Sequence, residues 1–152
     1  MNVGSCYCQS VSADLFWKAP SMKFPLPAIT DENEAFWTGG ADGHLQITAC
    51  VDCDHRIHPP QTVCPQCLSR NVTARPASGK ATIATFTINR QQWMPGLEVP
   101  YAVGIVDLDD QPGVRIMARI IADDVAAVKI GAAVEVGFEQ NGDVFIPVFK
   151  LV

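Results

Sequence analysis

The stretch CVDCDHRIHPPQTVCPQC, residues 50–67, decides the fold of this chain because it carries two Cys-x-x-Cys pairs separated by ten residues. Two residues between paired cysteines let one turn of backbone direct both sulfurs toward a common point. Four thiolates at about 2.3 Å complete a tetrahedral zinc shell and leave no coordination position open for water or substrate. The sequence therefore predicts one structural zinc ion, bound by the four cysteines of the two pairs: Cys50, Cys53, Cys64 and Cys67.

Other roles for this stretch remain as alternatives. A rubredoxin-like iron site uses the same ligands, and unrelated thiols or a catalytic zinc fit the pattern less well. His55 and His58 lie inside the stretch as spare ligands. Because four cysteines already fill a tetrahedral shell, we expect both histidines to be exposed in turns or hydrogen-bonded instead.

Composition and charge narrow the class of protein. The chain has 152 residues, of which 48% are hydrophobic and 18% charged, and this is typical of a globular protein. The net charge of −5 disfavours a nucleic-acid partner, which needs a basic face. No apolar run approaches the ~20 residues that span a bilayer, and residues 1–10 lack the basic start of a secretory signal. We therefore expect a cytoplasmic protein with reduced cysteines and no membrane segment.

Three regions follow one another along the chain. Residues 1–43 are predicted to form an irregular, partly helical segment, with one short helix at 31–38 and another at 14–18. Asp31 and Glu34 are spaced as a capping pair, and Gly39-Gly40 predicts the end of the first helix. Residues 44–76 are predicted to form a small zinc ribbon.

Residues 77–152 predict a five-stranded OB-fold barrel, so the chain is mainly β. The predicted strands are 80–90, 101–108, 114–120, 133–139 and 144–149. An Asp-initiated segment, 123–128, predicts a short helix between the third and fourth strands, and Asn141-Gly142 predicts a tight hairpin. Three strands in a meander, a short helix and a closing hairpin form the order of an OB-fold.

Catalytic groups are hard to find in the sequence, so we expect no enzyme activity. There is no nucleophile-elbow motif and no phosphate-binding glycine loop, and the three histidines all lie in or beside the ribbon. The loop at 91–100 carries Trp93 and Met94, which are costly to leave in water. These two side chains either pack onto the protein's own barrel or ribbon, or contact a partner or an acyl chain.

The combined pattern resembles the acyl-CoA-associated "domain of unknown function 35" family, in which a rubredoxin-like zinc ribbon precedes an OB-fold. The resemblance covers about residues 30–152 and is carried by short motifs in the family's order: Ala35-Phe36-Trp37, Leu45 to Cys53, Ile57-His58-Pro59-Pro60, Cys64-Pro65-Gln66-Cys67, Ser78 to Ile83, Pro100 to Val103, Lys129-Ile130-Gly131 and Ile146 to Phe149.

This resemblance implies a non-catalytic accessory subunit of a thiolase-like enzyme. Such a subunit would assist acyl-CoA binding or channelling in lipid, sterol or acetoacetyl-CoA metabolism. The candidate contacts with a partner or with acyl-CoA are Trp37, Arg90, Trp93 and Met94. Four basic residues could meet CoA phosphates, although solvated strand-end charges are the simpler interpretation: Lys80, Arg90, Arg115 and Arg119.

Two rival functions stay open from the sequence, as does self-association into a homo-oligomer. OB-folds and zinc ribbons both serve in nucleic-acid-binding modules, although the acidic balance and the shortage of interleaved aromatic and basic residues count against that role here. An iron electron carrier is the third hypothesis.

Overall fold

A computed structural model of the chain describes residues 25–93 and 96–152. The predicted helix at 14–18, the Cys6 and Cys8 thiols and the Met94 side chain lie outside the described residues. None of the described helices is long and apolar enough to cross a membrane.

The described N-terminal part holds one short helix, α1 (Glu34–Thr38), followed by a 3-10 turn at Gly39–Asp42. The predicted helix start was wrong, because residues 31–33 form a turn and the Asn33 side chain accepts a hydrogen bond from the Thr30 N–H at 2.8 Å. The predicted end of the helix is confirmed, since α1 ends at Thr38 with Gly39 as its C-cap, and a 3-10 turn follows. It ends at Gly43, which adopts a left-handed φ of 73°.

Gly40 serves close packing. A Cβ atom at this position would lie 2.5 Å from the Phe145 Cβ and 2.6 Å from the Phe138 ring, both in the barrel. The N-terminal segment therefore approaches the barrel at backbone distance, and this requires a residue without a side chain.

The ribbon is a three-stranded antiparallel sheet in the order β2-β1-β3, with the central strand β1 at Gln46–Cys50. The flanking strands are β2 (Arg56–Ile57) and β3 (Val72–Pro76). Leu45 and Ile47 are buried in the same hydrophobic core as the barrel residues. The ribbon and the barrel thus share apolar surface.

The barrel closes in the order β4-β5-β6-β8-β7, with β6 parallel to β8 and β7 pairing back to β4. Its strands are β4 (Lys80–Asn89), β5 (Tyr101–Leu108), β6 (Arg115–Ile121), β7 (Ala133–Asn141) and β8 (Val144–Leu151). Alternate residues of β5 are buried, as expected for a sheet with one face on the core. The predicted OB-fold is confirmed, and the predicted short helix is a 3-10 turn, Val125–Ala127, capped by the Asp124 side chain at 2.9 Å.

Candidate metal centre

The two Cys-x-x-Cys pairs form two turns with the same hydrogen-bond pattern. In the first, the Asp54 N–H donates to the Cys50 carbonyl at 3.0 Å, and the Cys50 N–H donates to the His55 carbonyl at 2.9 Å. The second repeats both bonds: Leu68 N–H to the Cys64 carbonyl at 2.9 Å, and Cys64 N–H to the Ser69 carbonyl at 2.8 Å. The same backbone hydrogen bonds recur in both turns, and this agrees with the equal spacing of the two cysteine pairs.

The residue after each pair adopts a left-handed backbone conformation. Asp54 has φ 61° and Leu68 has φ 62°. This region is routine for glycine, tolerable for aspartate and unusual for leucine. In both turns the left-handed residue is followed by the residue whose carbonyl accepts from the N–H of the first cysteine, His55 in one turn and Ser69 in the other.

The four sulfurs lie close enough to share one ion. Cys50 and Cys67 Sγ atoms are 3.5 Å apart, Cys53 and Cys64 Sγ atoms are 3.6 Å apart, and all four lie within 4.8 Å of one another. Tetrahedral ligands at about 2.3 Å from zinc would be separated by about 3.8 Å, whereas a disulfide requires about 2.05 Å. The four cysteines are free thiols positioned to bind one metal ion.

Hydrogen bonds and burial give the four thiols different surroundings. Burial raises the pKa of Cys64, but backbone N–H groups of Cys67 and Gln66, together with the neighbouring thiols, lower it to about 7. The backbone N–H of His55 lowers the pKa of Cys53, yet the neighbouring thiols and burial raise it to about 12. Zinc binding requires all four thiolates, and a closed shell of four gives a structural site. The zinc supplies a cross-link between the two turns, and the donor set fits it.

Neither spare histidine joins the sulfur cluster. His55 Nδ1 lies 3.3 Å from the Gln111 side-chain amide nitrogen, so the expected hydrogen bond is present. His58 is more buried than expected: its ring packs on Phe36 with centroids 4.9 Å apart, and burial lowers its pKa. Within the described residues, the four cysteines are the group of His, Cys, Asp and Glu side chains arranged to hold a metal.

The other candidate contacts do not form one cluster. Trp37 is partly buried, with its ring edge-on to Phe36 at 4.8 Å. Arg90 is exposed, and Trp93 is 72% exposed. In the same loop Leu97 is only 3% exposed, and the Gln92 side chain donates to its carbonyl at 2.9 Å. The loop therefore packs inward through Leu97 while it holds Trp93 in solvent.

The orientation of Trp93 is fixed by a neighbour that the sequence did not single out. Its indole N–H donates to the Asn89 side-chain oxygen at 3.1 Å, and the Asn89 amide nitrogen bonds to the Tyr101 hydroxyl. Trp93 follows Asn89 by four positions, and this spacing is too common in sequences to predict the hydrogen bond.

Two of the four basic residues considered for CoA phosphates are held by carboxylates. Arg115 Nε lies 2.8 Å from Asp107, whose carboxylate raises the pKa of that guanidinium. Arg119 lies 2.6 Å from Glu139, and both side chains are mostly buried. Lys80 and Arg90 are exposed. The ion pair between Arg119 and Glu139 joins β6 to β7 across twenty residues of sequence, a separation that no local pattern reveals.

A closed four-cysteine ribbon joined through a common core to a five-stranded barrel defines a class: the zinc-ribbon/OB-fold proteins. Two family models match in that order. The model described as "ChsH2, rubredoxin-like zinc ribbon domain" matches residues 37–73, and "ChsH2, C-terminal OB-fold domain" matches residues 74–139. The chain belongs to the DUF35 family, with the zinc ribbon and OB-fold of the ChsH2 type.

Curated relatives carry names from acyl-CoA metabolism. The chain is 29% identical over 133 residues to a "Probable enoyl-CoA hydratase alpha subunit" of Thermomonospora curvata, covering 86% of this chain and 41% of the relative. It is 30% identical over 108 residues to the "3-oxo-4,17-pregnadiene-20-carboxyl-CoA hydratase alpha subunit" of Mycobacterium tuberculosis, covering 71% and 34%. The chain thus spans well under half the length of both subunits. A "DUF35 domain-containing scaffold protein" of Pyrococcus furiosus is 29% identical, covering 66% of this chain and 73% of the relative.

Solved structures show the same architecture. A chain of the "Ltp2-ChsH2(DUF35) aldolase" superposes with a TM-score of 0.72 at 28% identity, covering 83% of this chain and 98% of that one. A DUF35 protein from Sulfolobus solfataricus superposes with a TM-score of 0.57 at 14% identity, covering 80% and 86%, and this likeness concerns the fold alone.

Proposed function

We propose that this protein is a non-catalytic accessory subunit that associates with a thiolase-like or aldolase-type enzyme and assists acyl-CoA binding or channelling. One observation carries the proposal: nearly the whole DUF35 chain of the Ltp2–ChsH2(DUF35) aldolase has its counterpart here. We place the subunit in lipid, sterol or acetoacetyl-CoA metabolism, and the names of two curated relatives, both CoA-ester hydratase subunits, support a role in acyl-CoA metabolism. The scaffold name of the Pyrococcus relative supports the non-catalytic role.

The zinc site supports a structural role for the ribbon within this subunit. Four thiolates fill the metal's coordination sphere, so the ion would act as a cross-link with no position for substrate. We propose three units for the chain: an N-terminal segment at 1–43, the ribbon at 44–76 and the barrel at 77–152. A thiolate site of this kind is favoured in a reducing compartment, and we propose the cytoplasm.

Trp93 and Arg90 are the residues that we propose for contact with the partner or with acyl-CoA. An indole 72% exposed and fixed by a hydrogen bond to Asn89 loses little side-chain entropy when a partner covers it. Tryptophan and arginine are also the side chains that most often dominate binding energy at interfaces. Trp37 already packs on Phe36 and is partly buried, so we propose a smaller contribution from it.

The test is affinity capture of the tagged, zinc-loaded protein from a lysate of its own host, with mass spectrometry of the retained proteins. We expect one thiolase-like, aldolase or hydratase subunit at stoichiometric amounts. Retention of nucleic acid, or of no acyl-CoA enzyme under several growth conditions, would overturn the proposal.

Trp93→Ala tests the contact surface once the partner is in hand. We expect the affinity for the partner to fall by about thirtyfold or more, since truncation of an interface hot spot costs about 2 kcal/mol or more. Met117→Ala is the matched control, because Met117 is a similarly exposed apolar residue, at 75%, on β6. Equal losses in both variants would count against a specific role for Trp93.

A further inference from the structure

The turn between β5 and β6, residues 109–113, contacts the backbone of the ribbon strand β2 through the side chain of Gln111. The Gln111 Oε1 accepts a hydrogen bond from the Arg56 N–H at 2.8 Å, and the Gln111 Nε2 donates to the Arg56 carbonyl at 3.1 Å. These are the two backbone groups that a neighbouring strand would pair. The amide of Gln111 therefore completes the free edge of β2, whose other edge pairs with β1.

The same side chain reaches the first metal-binding turn. Gln111 Nε2 also lies 3.3 Å from His55 Nδ1. The His55 carbonyl accepts from the Cys50 N–H at 2.9 Å, and its own backbone N–H bonds to the Cys53 thiol. One residue, His55, thus stands between Gln111 and two of the four metal ligands.

Asp110 fastens the turn to the connection between ribbon and barrel. Its carboxylate accepts from the Ser78 N–H at 3.0 Å and from the Ser78 hydroxyl at 2.8 Å. It also lies 3.6 Å from the Arg56 guanidinium, which donates to the Pro76 carbonyl at 3.1 Å. We call this group the ribbon–barrel junction; its members are Arg56, Ser78, Asp110 and Gln111.

We infer that the ribbon–barrel junction couples the metal site to the barrel, so that zinc binding orders the turn at 109–113 and the turn in return tightens zinc binding. The metal fixes the first turn, the first turn positions His55 and Arg56, and these two residues hold Gln111. Coupling between two sites is reciprocal, so a change at Gln111 must alter zinc affinity by the factor by which zinc alters the junction. The inference does not depend on the partner enzyme or on acyl-CoA.

The first measurement is zinc affinity by competition with a chelator. Gln111→Met keeps the length of the side chain and removes its hydrogen bonds. We expect its zinc dissociation constant to rise about fivefold. The loss of a hydrogen bond and the coupling typical of linked sites both correspond to changes of about this size. The matched control is Gln140→Met, since Gln140 makes one similar bond, at 3.1 Å to the Gly142 carbonyl, in the hairpin between β7 and β8. We expect wild-type affinity for that variant.

The second measurement is hydrogen exchange of the full-length protein with and without zinc. In the wild type, removal of zinc should speed exchange at residues 50–67 and also at residues 109–113. In Gln111→Met the turn should exchange fast in both states. Asp110→Asn, which weakens the ion pair to Arg56 and preserves size, should show a smaller effect of about twofold on zinc affinity.

Three results would overturn the inference. In the first, Gln111→Met and Gln140→Met bind zinc equally well. In the second, zinc affinity falls but the turn exchanges at the same rate with and without metal, so that Gln111 supports the metal turn only locally. In the third, removal of zinc speeds exchange equally in the hairpin at 140–143, so that metal loss unfolds the barrel as a whole.

Discussion

Leu68 follows the second cysteine pair in a left-handed conformation, and this makes a stabilising substitution predictable. Glycine adopts φ near 62° without steric cost, whereas a non-glycine residue there costs about 1–3 kcal/mol. The Leu68 side chain is 77% exposed, so its removal forfeits little apolar burial. We therefore predict that Leu68→Gly stabilises the metal-loaded ribbon.

The magnitude follows from three opposing contributions. Relief of backbone strain contributes about 2 kcal/mol, the midpoint of the range above. The greater freedom of glycine in the unfolded chain costs about 0.7 kcal/mol, and the remaining burial of the leucine costs about 0.5 kcal/mol. The net gain is about 0.8 kcal/mol, equivalent to about fourfold in zinc affinity because metal binding and folding of such a site are linked.

Asp54 provides the internal control, since it occupies the equivalent position in the first turn at φ 61°. Aspartate tolerates this conformation better than leucine, and Asp54 also forms an ion pair with Arg75. Asp54→Gly should therefore gain nothing or lose slightly. Chelator competition at fixed pH measures both variants against the wild type. The reasoning is refuted if Leu68→Gly binds zinc no more tightly than the wild type, or if Asp54→Gly gains as much.

Three further predictions rest on separate features. Cys53→Ser should lower bound zinc far below one ion per chain in a colorimetric assay, because the tetrahedral shell loses a thiolate; full retention of one ion would contradict the ligand assignment. Gly40→Ala should destabilise the fold by about 1–3 kcal/mol in denaturant unfolding, because its Cβ would overlap Phe145 and Phe138. Gly137→Ala, with its nearest neighbour at 3.7 Å, should be tolerated, and equal effects would argue against close packing at Gly40. Burial lowers the pKa of His58 below its unfolded value of about 6.5. The folded state therefore favours the neutral imidazole, and the stability of the protein decreases as the pH falls below about 6.5 toward the folded pKa. His58→Gln should lose less stability than the wild type between pH 7.5 and 5.5, and parallel losses in both proteins would show that His58 is not responsible.

Local chemistry made the barrel strands and the metal site predictable. The strand Tyr101–Leu108 begins and ends where the sequence predicted. The signals for it are local, because the apolar strand residues and the turns that flank them lie within a few positions of one another. The cysteine spacing defines the metal site for the same reason. The start of α1 was predicted too early. The Asn33 side chain accepts a hydrogen bond from the Thr30 N–H and belongs to the preceding turn, and the acidic sequence at 31–34 does not reveal this contact.

Contacts between distant segments could not be read from the sequence. Gln111 looked like an ordinary turn residue between Asp110 and Pro112, yet its amide is paired with a backbone strand fifty-five positions away. Gly40 looked like a helix stop, because the sequence does not show that two phenylalanines of the last hairpin approach it. Both roles depend on the closed barrel bringing separate elements together.

The ribbon's own core explains why these long-range contacts matter. Among residues 25–93 and 96–152, its separate hydrophobic cluster consists of Cys50, Ile57 and Cys64, with Val72 packed against it. Two of those side chains are metal ligands. A core of that size cannot offset the conformational entropy of a segment of this length, so the ribbon needs both the metal and an external surface. The barrel supplies that surface, because Leu45 and Ile47 at the base of the ribbon are buried among barrel side chains. Loss of zinc would therefore act at the wall of the barrel as well as at the metal turns.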